Sequence, residues 1–360
     1  MNKKISIYVP YRNYFLKSFI KKKGKIPFDF LWGINNLDKK KFIIDTSFSK
    51  RGDRSSYYAK FFWIFEKIFI KILGIGAPFE VYFENKNKIN NKDIIFCCND
   101  ALGVVFLFFK RIGLVKSKVI VLFQALSERR ILLHNNSYIN YILIKFIIKK
   151  CDLVLTLSKL AKQKLISEYR IPKNKIKVLD FGVDISFWKP KRNNKKQKYI
   201  LSVGNDSNRD YETLINALQN KFKLIVVTKK EIKKKVNTKI FKNVSTKKLR
   251  ELYQNAHLTV IPSKKILSEN AGMSCIMQSM ASGTPVITSN LPALKERFKD
   301  KKTIFYFNAE SSKSLKAVIE QVYYNKKFLR IVSKNAKNLI NKKYNYTKLS
   351  NQISTILEKV

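Results

Sequence analysis

The chain has 360 residues, of which 45% are hydrophobic and 13% aromatic, and its formal net charge at pH 7 is +48. This length exceeds that of an ordinary single domain and the apolar content suffices for two packed cores, so we expect two domains. Lysine supplies 61 of the 73 basic residues. Because nucleic-acid binders usually rely on Arg for bidentate recognition, the composition argues against a specific nucleic-acid partner, although such a charge should still attract anionic lipids and nucleotides.

Cysteine and histidine give no sign of a disulfide framework or a metal centre. Two of the four cysteines are adjacent, at Cys97 and Cys98, and only His134 and His257 are available as imidazole ligands. The amino-terminal residues lead directly into a strand pattern, and no run of 18 uncharged apolar residues occurs. We therefore expect a cytoplasmic or membrane-peripheral protein with no metal and no other cofactor.

The first half of the sequence alternates short β-rich runs with helical patterns. Strands are predicted at 5–10, 41–47, 93–98, 118–124 and 151–158, and helices at about 135–150 and at 159–169. This alternation predicts a parallel sheet covered by helices on both faces.

Within this half, residues 60–73 form a helical pattern dense in aromatic side chains. Lys60, Lys67 and Lys71 lie within roughly 40° of one another on a helical wheel, so they form a narrow basic stripe. The pattern fits a core helix with one solvated edge, and it also fits a helix that lies on an anionic membrane surface.

A charged segment without apolar periodicity, 189–198, is interpreted as a linker, and the β/α alternation then restarts. Strands are predicted at 198–204, 223–228, 258–263, 284–289 and 303–307, helices at 211–219, 246–254 and 272–282, and a mostly helical end at 311–359. The expected domains are 1–188 and 199–345, with a C-terminal helix at 346–360. The fold class is α/β, with two Rossmann-like domains facing a cleft and C-terminal helices packing back toward the first domain.

The stretch 258–289 combines a strand, a polar loop, a helix that opens on small residues, and a second strand. Met273, Ile276, Met277 and Met280 define the core face of that helix by their spacing. Its unpaired backbone N–H groups, with little side-chain bulk at its start, suit phosphate oxygens. A structural alternative is that Gly272 simply eases a tight turn and Asn270 caps the helix.

Several segments in order resemble the nucleotide-binding half of retaining GT-B glycosyltransferases of the group 1 type. These segments are KKCDLVLTLSKLAKQKLISEYRIPKNKIKVLDFGVDISFW at 149–188, YILSVGNDSNRDYETLINAL at 199–218, LRELYQNAHLTVIPS at 249–263 and QSMASGTPVI at 278–287. The match is strong over about 150–290 and weak over 1–120. It implies a nucleotide-sugar donor and metal-independent sugar transfer with retention.

The resemblance also implies roles for individual residues. Asn205 and Arg209 stand where the family neutralises the donor diphosphate, and backbone N–H groups of Ala271, Gly272, Met273 and Ser274 would bind the same phosphates. Gln278 stands where a Glu binds the ribose hydroxyls. Asn270 stands where a Glu contacts the transferred sugar, and Glu269 could take over that contact. Loops near Thr228 and Val244 would contact the base, and Gln124 falls at a frequent active-site His of the first domain.

The departures from the family pattern leave three alternatives. Both family acids are amides here, Asn270 and Gln278, which hydrogen-bond hydroxyls but carry no charge. The chain could be a divergent active branch, an enzyme for an unusual sugar, or an inactive member that serves as a binding subunit. For an active enzyme, the basic surface favours a glycan or lipid-linked acceptor at the inner membrane face. A nucleic-acid-binding protein is the remote alternative.

Overall fold

The computed structural model describes residues 3–12, 26–49, 56–126, 137–191, 197–219, 221–232, 236–265 and 272–360. The chain divides into two compact units. Unit 1 contains the described residues of Met1–Lys21, Phe30–Leu179 and Ser350–Val360, and unit 2 those of Lys22–Asp29 and Asp180–Leu349. Residues 180–188, expected in the first domain, thus belong to unit 2. The centre of the expected linker, 192–196, lies outside the described residues.

Unit 1 is built on a six-stranded sheet in which every described pairing is parallel. Its order is β2-β1-β3-β4-β5-β6, with β1 Ile5–Tyr11, β2 Phe42–Phe48, β3 Ile94–Cys97, β4 Lys118–Leu122, β5 Leu153–Thr156 and β6 Ile176–Val178. The helices are α1 Tyr57–Leu73, α2 Glu80–Ile89, α3 Asp100–Arg111, α4 Ser137–Ile148 and α5 Lys159–Tyr169. The predicted parallel β/α architecture is confirmed.

The core of unit 1 explains two features of its sequence. The strand β3 is buried at all four positions because both sheet faces are covered, which accounts for its continuous apolar run. Cys97 and Cys98 are free and buried there, and burial raises the pKa of both thiols. They therefore serve as small apolar core residues.

The C-terminal residues from Ser350 onward pack within unit 1, as expected. The Ser350 hydroxyl donates to the Gly33 carbonyl at 2.8 Å, and Lys41 pairs with Glu358 at 3.1 Å. The chain returns to unit 1 inside the helix α12 Tyr346–Leu357.

Unit 2 contains a second parallel sheet with the order β12-β11-β10-β7-β8-β9. The strands are β7 Tyr199–Val203, β8 Lys223–Val227, β9 Thr238–Phe241, β10 Leu258–Ile261, β11 Val286–Ser289 and β12 Phe305–Phe307. The helices before α12 are α6 Tyr211–Leu218, α7 Thr246–Asn255, α8 Met273–Ala281, α9 Pro292–Lys295, α10 Ser312–Tyr323 and α11 Lys326–Lys343.

The chain order of these strands reverses between β7 and β10, which are neighbours at the centre of the sheet. In open α/β sheets, ligands bind beyond the carboxyl ends of the strands at such a switch point. The loops that follow β7 and β10 are therefore the place in unit 2 to look for a ligand site.

Candidate nucleotide-binding site

Arg209 lies at the switch point of unit 2 and is buried, with 2% of its surface exposed. Its Nη1 donates to the Ser263 hydroxyl at 3.0 Å and, more distantly, to the Pro262 carbonyl at 3.4 Å. A single bridge also pairs the Arg209 and Ser263 backbones. The Pro-Ser pair after β10 thus holds the guanidinium against the carboxyl end of the sheet.

Two glycines leave the space that this guanidinium fills. A Cβ on Gly204, which follows β7, would lie 2.3 Å from Arg209 Nε, and a Cβ on Gly272, which precedes α8, would lie 3.0 Å from Nη1. Gly272 also has a φ of +77°, a conformation that favours glycine. The cation and the start of α8 are therefore brought together by residues without side chains.

The first turn of α8 begins on a residue without a side chain. Gly272 is the N-cap and makes no side-chain capping bond, so among the described residues no side chain caps the N–H groups at the start of the helix. The predicted core face is confirmed, because Met273, Ile276, Met277 and Met280 are all buried. The neighbouring Ser274 is half-buried. A buried cation next to an uncapped helix start favours binding of phosphate groups.

Asp206 is a member of this cluster that the sequence analysis missed. Its Oδ2 accepts from Arg209 Nη2 at 2.9 Å, in an i, i+3 ion pair. The Asp206 side chain is 40% exposed, whereas the guanidinium is enclosed. The i, i+3 spacing of Asp206 and Arg209 is the one signal in the sequence that could have predicted this ion pair.

The Gln278 side chain is hydrogen-bonded to the carboxylate of Asp29. Its Nε2 donates to Asp29 Oδ2 at 2.9 Å, and both side chains are buried. Asp29 lies 249 residues away in the sequence. No local pattern could have revealed this contact, because it forms only in the folded unit.

The remaining donor-side predictions fall around the same strand ends. The exposed Asn205 follows β7, and its Oδ1 accepts from the Lys229 N–H at 2.6 Å. Thr228 follows β8 and is buried, with its hydroxyl oxygen accepting from the Lys230 N–H at 3.1 Å. Val244 is half-buried in the segment between β9 and α7. Glu269, Asn270 and Ala271 lie outside the described residues.

In unit 1, Gln124 follows β4, and its amide groups bond to neighbouring loops. Its Nε2 donates to the Cys98 carbonyl at 2.6 Å, and its backbone N–H donates to Asp100 Oδ1 at 2.8 Å. Gln124 therefore ties the ends of β3 and β4 together. Within the described ranges, no group of three His, Cys, Asp or Glu side chains is placed to hold a metal ion, so metal independence stays a prediction.

The predicted basic stripe lies on α1 of unit 1, where Lys60, Lys67 and Lys71 are all exposed. The Lys67 ammonium lies 3.7 Å from the centroid of the Trp63 ring, a cation–π contact. Within the part of the chain that the structure covers, no helix is both long and apolar enough to cross a bilayer.

Comparison with solved structures identifies the fold. Sucrose-phosphate synthase from Thermosynechococcus elongatus superposes with a TM-score of 0.73 at 12% identity, over 99% of each chain. The Anabaena protein HepE, solved in complex with UDP and glucose, gives 0.71 at 10% identity over 99% of this chain and 100% of that one. The chain has the two-domain α/β GT-B fold of these proteins.

Sequence comparison finds relatives for part of the chain. Residues 184–339 match the family profile described as "Glycosyl transferases group 1". The O-antigen chain mannosyltransferase RfbU of Salmonella typhimurium is 28% identical over 200 residues, covering 50% of this chain and 53% of RfbU. The chain thus spans about half the length of the curated relatives it matches. The matched region, 184–339, contains Arg209, Gly272 and Gln278.

Proposed function

We propose that this protein is a glycosyltransferase that moves a sugar from a nucleoside-diphosphate donor to a glycan acceptor. The observation that carries the proposal is the buried Arg209 guanidinium beside Gly272, at the switch point of a group 1 domain. The structural neighbour HepE was solved with UDP and glucose, which supports a nucleotide-sugar donor.

The proposed chemistry follows from where charge develops. As the bond to the leaving diphosphate breaks, positive charge grows on the anomeric carbon and negative charge on the phosphate. Arg209 and the N–H groups at the start of α8 stabilise that negative charge, so no metal ion is required. Transfer with retention is part of the proposal. On the donor side, the proposal assigns Asn205 to the phosphates, Gln278 to the ribose, and Thr228 and Val244 to the base. It assigns Asn270 or Glu269 to the transferred sugar and Gln124 to the acceptor side.

We propose a lipid-linked glycan of cell-surface polysaccharide or lipopolysaccharide synthesis as the acceptor. The relative RfbU is an O-antigen chain mannosyltransferase, which supports a role in this class of pathway. The enzyme would act in the cytoplasm, at the inner face of the membrane, where such acceptors are made.

The outer face of α1 supports membrane association. Eight aromatic or aliphatic side chains described on α1 are at least 40% exposed, and all but Tyr58 and Ile70 lie on this face: Tyr57, Phe61, Ile64, Phe65, Ile68 and Ile72. At 100° per residue these six lie roughly 40–140° around the helix from Lys60, on one side of the basic stripe. Phe62 and Phe69, at roughly 180–200° from Lys60, pack against the core of unit 1. An exposed apolar face bordered by lysines is typical of a helix that lies in a membrane interface.

The neighbouring helix α4 extends this face, because α1 and α4 pack together. Its exposed apolar side chains recur at i and i+4: Tyr138, Ile139, Ile142, Leu143 and Phe146. Lys149 and Lys150 follow the helix and are exposed. Exposed apolar surface on two helices that pack together is typical of an interaction site, and the nearby lysines suit anionic headgroups. We call the exposed faces of α1 and α4 the two-helix apolar surface.

A panel of nucleoside diphosphates tests the core of the proposal. Melting temperatures are measured with UDP, GDP, ADP and CDP, and slow hydrolysis of the matching nucleotide sugars is followed. Stabilisation by one diphosphate, with release of that diphosphate from its sugar conjugate, supports the enzyme. Stabilisation without turnover favours a non-catalytic binding subunit, and no response to any nucleotide contradicts the proposal.

A further inference from the structure

The Asp29 carboxylate is enclosed by three N–H donors of unit 2. Its Oδ1 accepts from the Asp184 backbone N–H at 2.6 Å, and its Oδ2 accepts from Trp188 Nε1 at 2.7 Å and from Gln278 Nε2 at 2.9 Å. Asp29 is fully buried and Trp188 is 1% exposed. The carboxylate therefore has fixed neighbours on both oxygens.

The protonation state of Asp29 decides what it can do to Gln278. Burial raises the pKa of Asp29 to about 6, while the hydrogen bonds from Asp184, Gln278 and Trp188 oppose that rise. Its three described partners are all N–H donors, which favour the ionised form, and an ionised carboxylate only accepts hydrogen bonds.

This constraint fixes the orientation of the Gln278 carboxamide. Turning the amide over would place its oxygen against the negative Asp29 oxygen, so the Nε2 end must face Asp29. Among the described residues, no donor bonds to Gln278 Oε1. Ser274 is four positions earlier on α8, so the Gln278 side chain leaves the helix on the same face as its first turn.

We propose that Asp29 is a positioning residue that makes Gln278 a pure hydrogen-bond acceptor for a ribose hydroxyl of the donor. With Nε2 held by Asp29, Oε1 is the atom left for the ligand, and it accepts from a hydroxyl as a carboxylate would. The negative charge that a Glu at position 278 would present to the ligand is instead carried by Asp29, which acts on the ligand only through Gln278. This inference rests on the proposed function, because it assigns Gln278 to the donor site.

The test compares a nucleoside diphosphate with its 2′-deoxy and 3′-deoxy forms, using the base that stabilises the protein most. The ratio of deoxy to parent Kd isolates the hydroxyl contact, because phosphates and base are unchanged. For the wild-type protein we expect a ratio of about 10 or more for one hydroxyl. Asp29→Ala should lower it below about 3, since no acceptor then remains beside Nε2 and nothing dictates one orientation of the Gln278 amide.

A second substitution separates positioning from folding. In Asp29→Ala/Gln278→Glu the side chain at 278 has only acceptor oxygens, so it needs no orienting partner and the wild-type ratio should return. In Gln278→Glu alone two carboxylates face each other, and parent-nucleotide affinity should fall below that of the double variant. Asp210→Ala is the matched control: this buried Asp caps α6, so its loss should lower Tm and leave the ratio unchanged.

The outcomes distinguish the two proposals. If Asp29→Ala keeps the wild-type ratio, or if the wild-type ratio is near 1, the positioning role is overturned. If Asp29→Ala does not fold, the single variant Gln278→Glu decides, since wild-type affinity and ratio there also overturn it. Absence of nucleotide binding by the wild-type protein contradicts the proposed function itself.

Discussion

The Arg209 guanidinium and Gly272 are in such close contact that a Cβ on the glycine would lie 3.0 Å from Nη1 and 2.6 Å from Ile261 Cγ2. Glycine is therefore favoured at position 272 for two reasons: its backbone conformation, and the space that the Arg209 guanidinium occupies. Because these two features come from the ends of different strand–helix units, their contact defines the candidate diphosphate site.

The first prediction concerns Gly272→Ala. The added methyl group would press on Ile261 and Arg209 in addition to straining the left-handed backbone, so the variant should lose stability and bind nucleoside diphosphates at least about tenfold more weakly. Gly113→Ala is the matched control, because Gly113 has a φ of +81° with nothing within 4 Å of its Cβ position. Urea denaturation and calorimetry measure both effects, and equal losses from the two variants would show that contact with Arg209 is unimportant.

The second prediction concerns Asp206, whose carboxylate occupies Arg209 Nη2. If this carboxylate competes with phosphate for the cation, Asp206→Asn should tighten nucleoside-diphosphate binding by about 3- to 10-fold. Glu212→Gln removes an exposed charge from the nearby helix α6 and controls for the general change in potential. Weaker binding by Asp206→Asn would mean that Asp206 orients Arg209 for the ligand.

The third prediction is a pH dependence of stability. The folded-state pKa of Asp29 is about 6, above its ordinary value of 3.8, so the native state holds more protons than the unfolded state between these values. Asp29 therefore contributes more stability at low pH, and this contribution of about 3 kcal/mol is lost as pH rises through 6.

Asp29→Asn removes this titration. The free energy of unfolding of wild type minus that of the variant should thus increase by about 2–3 kcal/mol from pH 7 to pH 4. Denaturation in urea at several pH values measures it, with Glu212→Gln as the exposed control. A difference that is flat with pH would contradict the buried, ionisable state of Asp29.

The fourth prediction concerns the two-helix apolar surface. Replacing Lys60, Lys67 and Lys71 with Gln should weaken sedimentation with vesicles containing phosphatidylglycerol by at least about tenfold, because each lysine near an anionic surface contributes about 1 kcal/mol. The control replaces three exposed lysines of unit 2, Lys326, Lys327 and Lys334, with the same change in net charge.

The apolar part of that surface has its own test. Phe61→Ser/Ile64→Ser should also reduce vesicle binding, whereas Tyr324→Ser/Ile331→Ser, which alters exposed apolar residues of unit 2, should not. Equal losses in target and control variants would exclude a specific membrane-facing surface.

Much of the fold could be predicted because its signals are local. The helix α5 has the predicted bounds, and the strand predicted at 258–263 is shorter by two residues because Pro262 has no N–H for the sheet. The short edge strand β9, with the sequence TKIF, was missed because only its two apolar residues distinguish it from the charged segment around it.

The site was predictable only where it followed a motif. Arg209 and Gly272 were found through their place in the ordered segments, and the structure brings them into contact. Asp29 was not found, because a single Asp far from the matching segments has no pattern, and its hydrogen bonds to Trp188 and Gln278 exist only after folding.

The most direct test of the account is the calorimetric affinity of Arg209→Ala for the stabilising nucleoside diphosphate, with Lys229→Ala as the matched loss of an exposed cation. Because Arg209 would make charge-assisted hydrogen bonds to the diphosphate, we expect a loss of about 30-fold or more, against less than about 3-fold for Lys229→Ala. Arg209→Lys, which keeps the charge, should fall between them. Affinities of Arg209→Ala and Lys229→Ala that are equal, in folded proteins, would contradict a diphosphate held by Arg209.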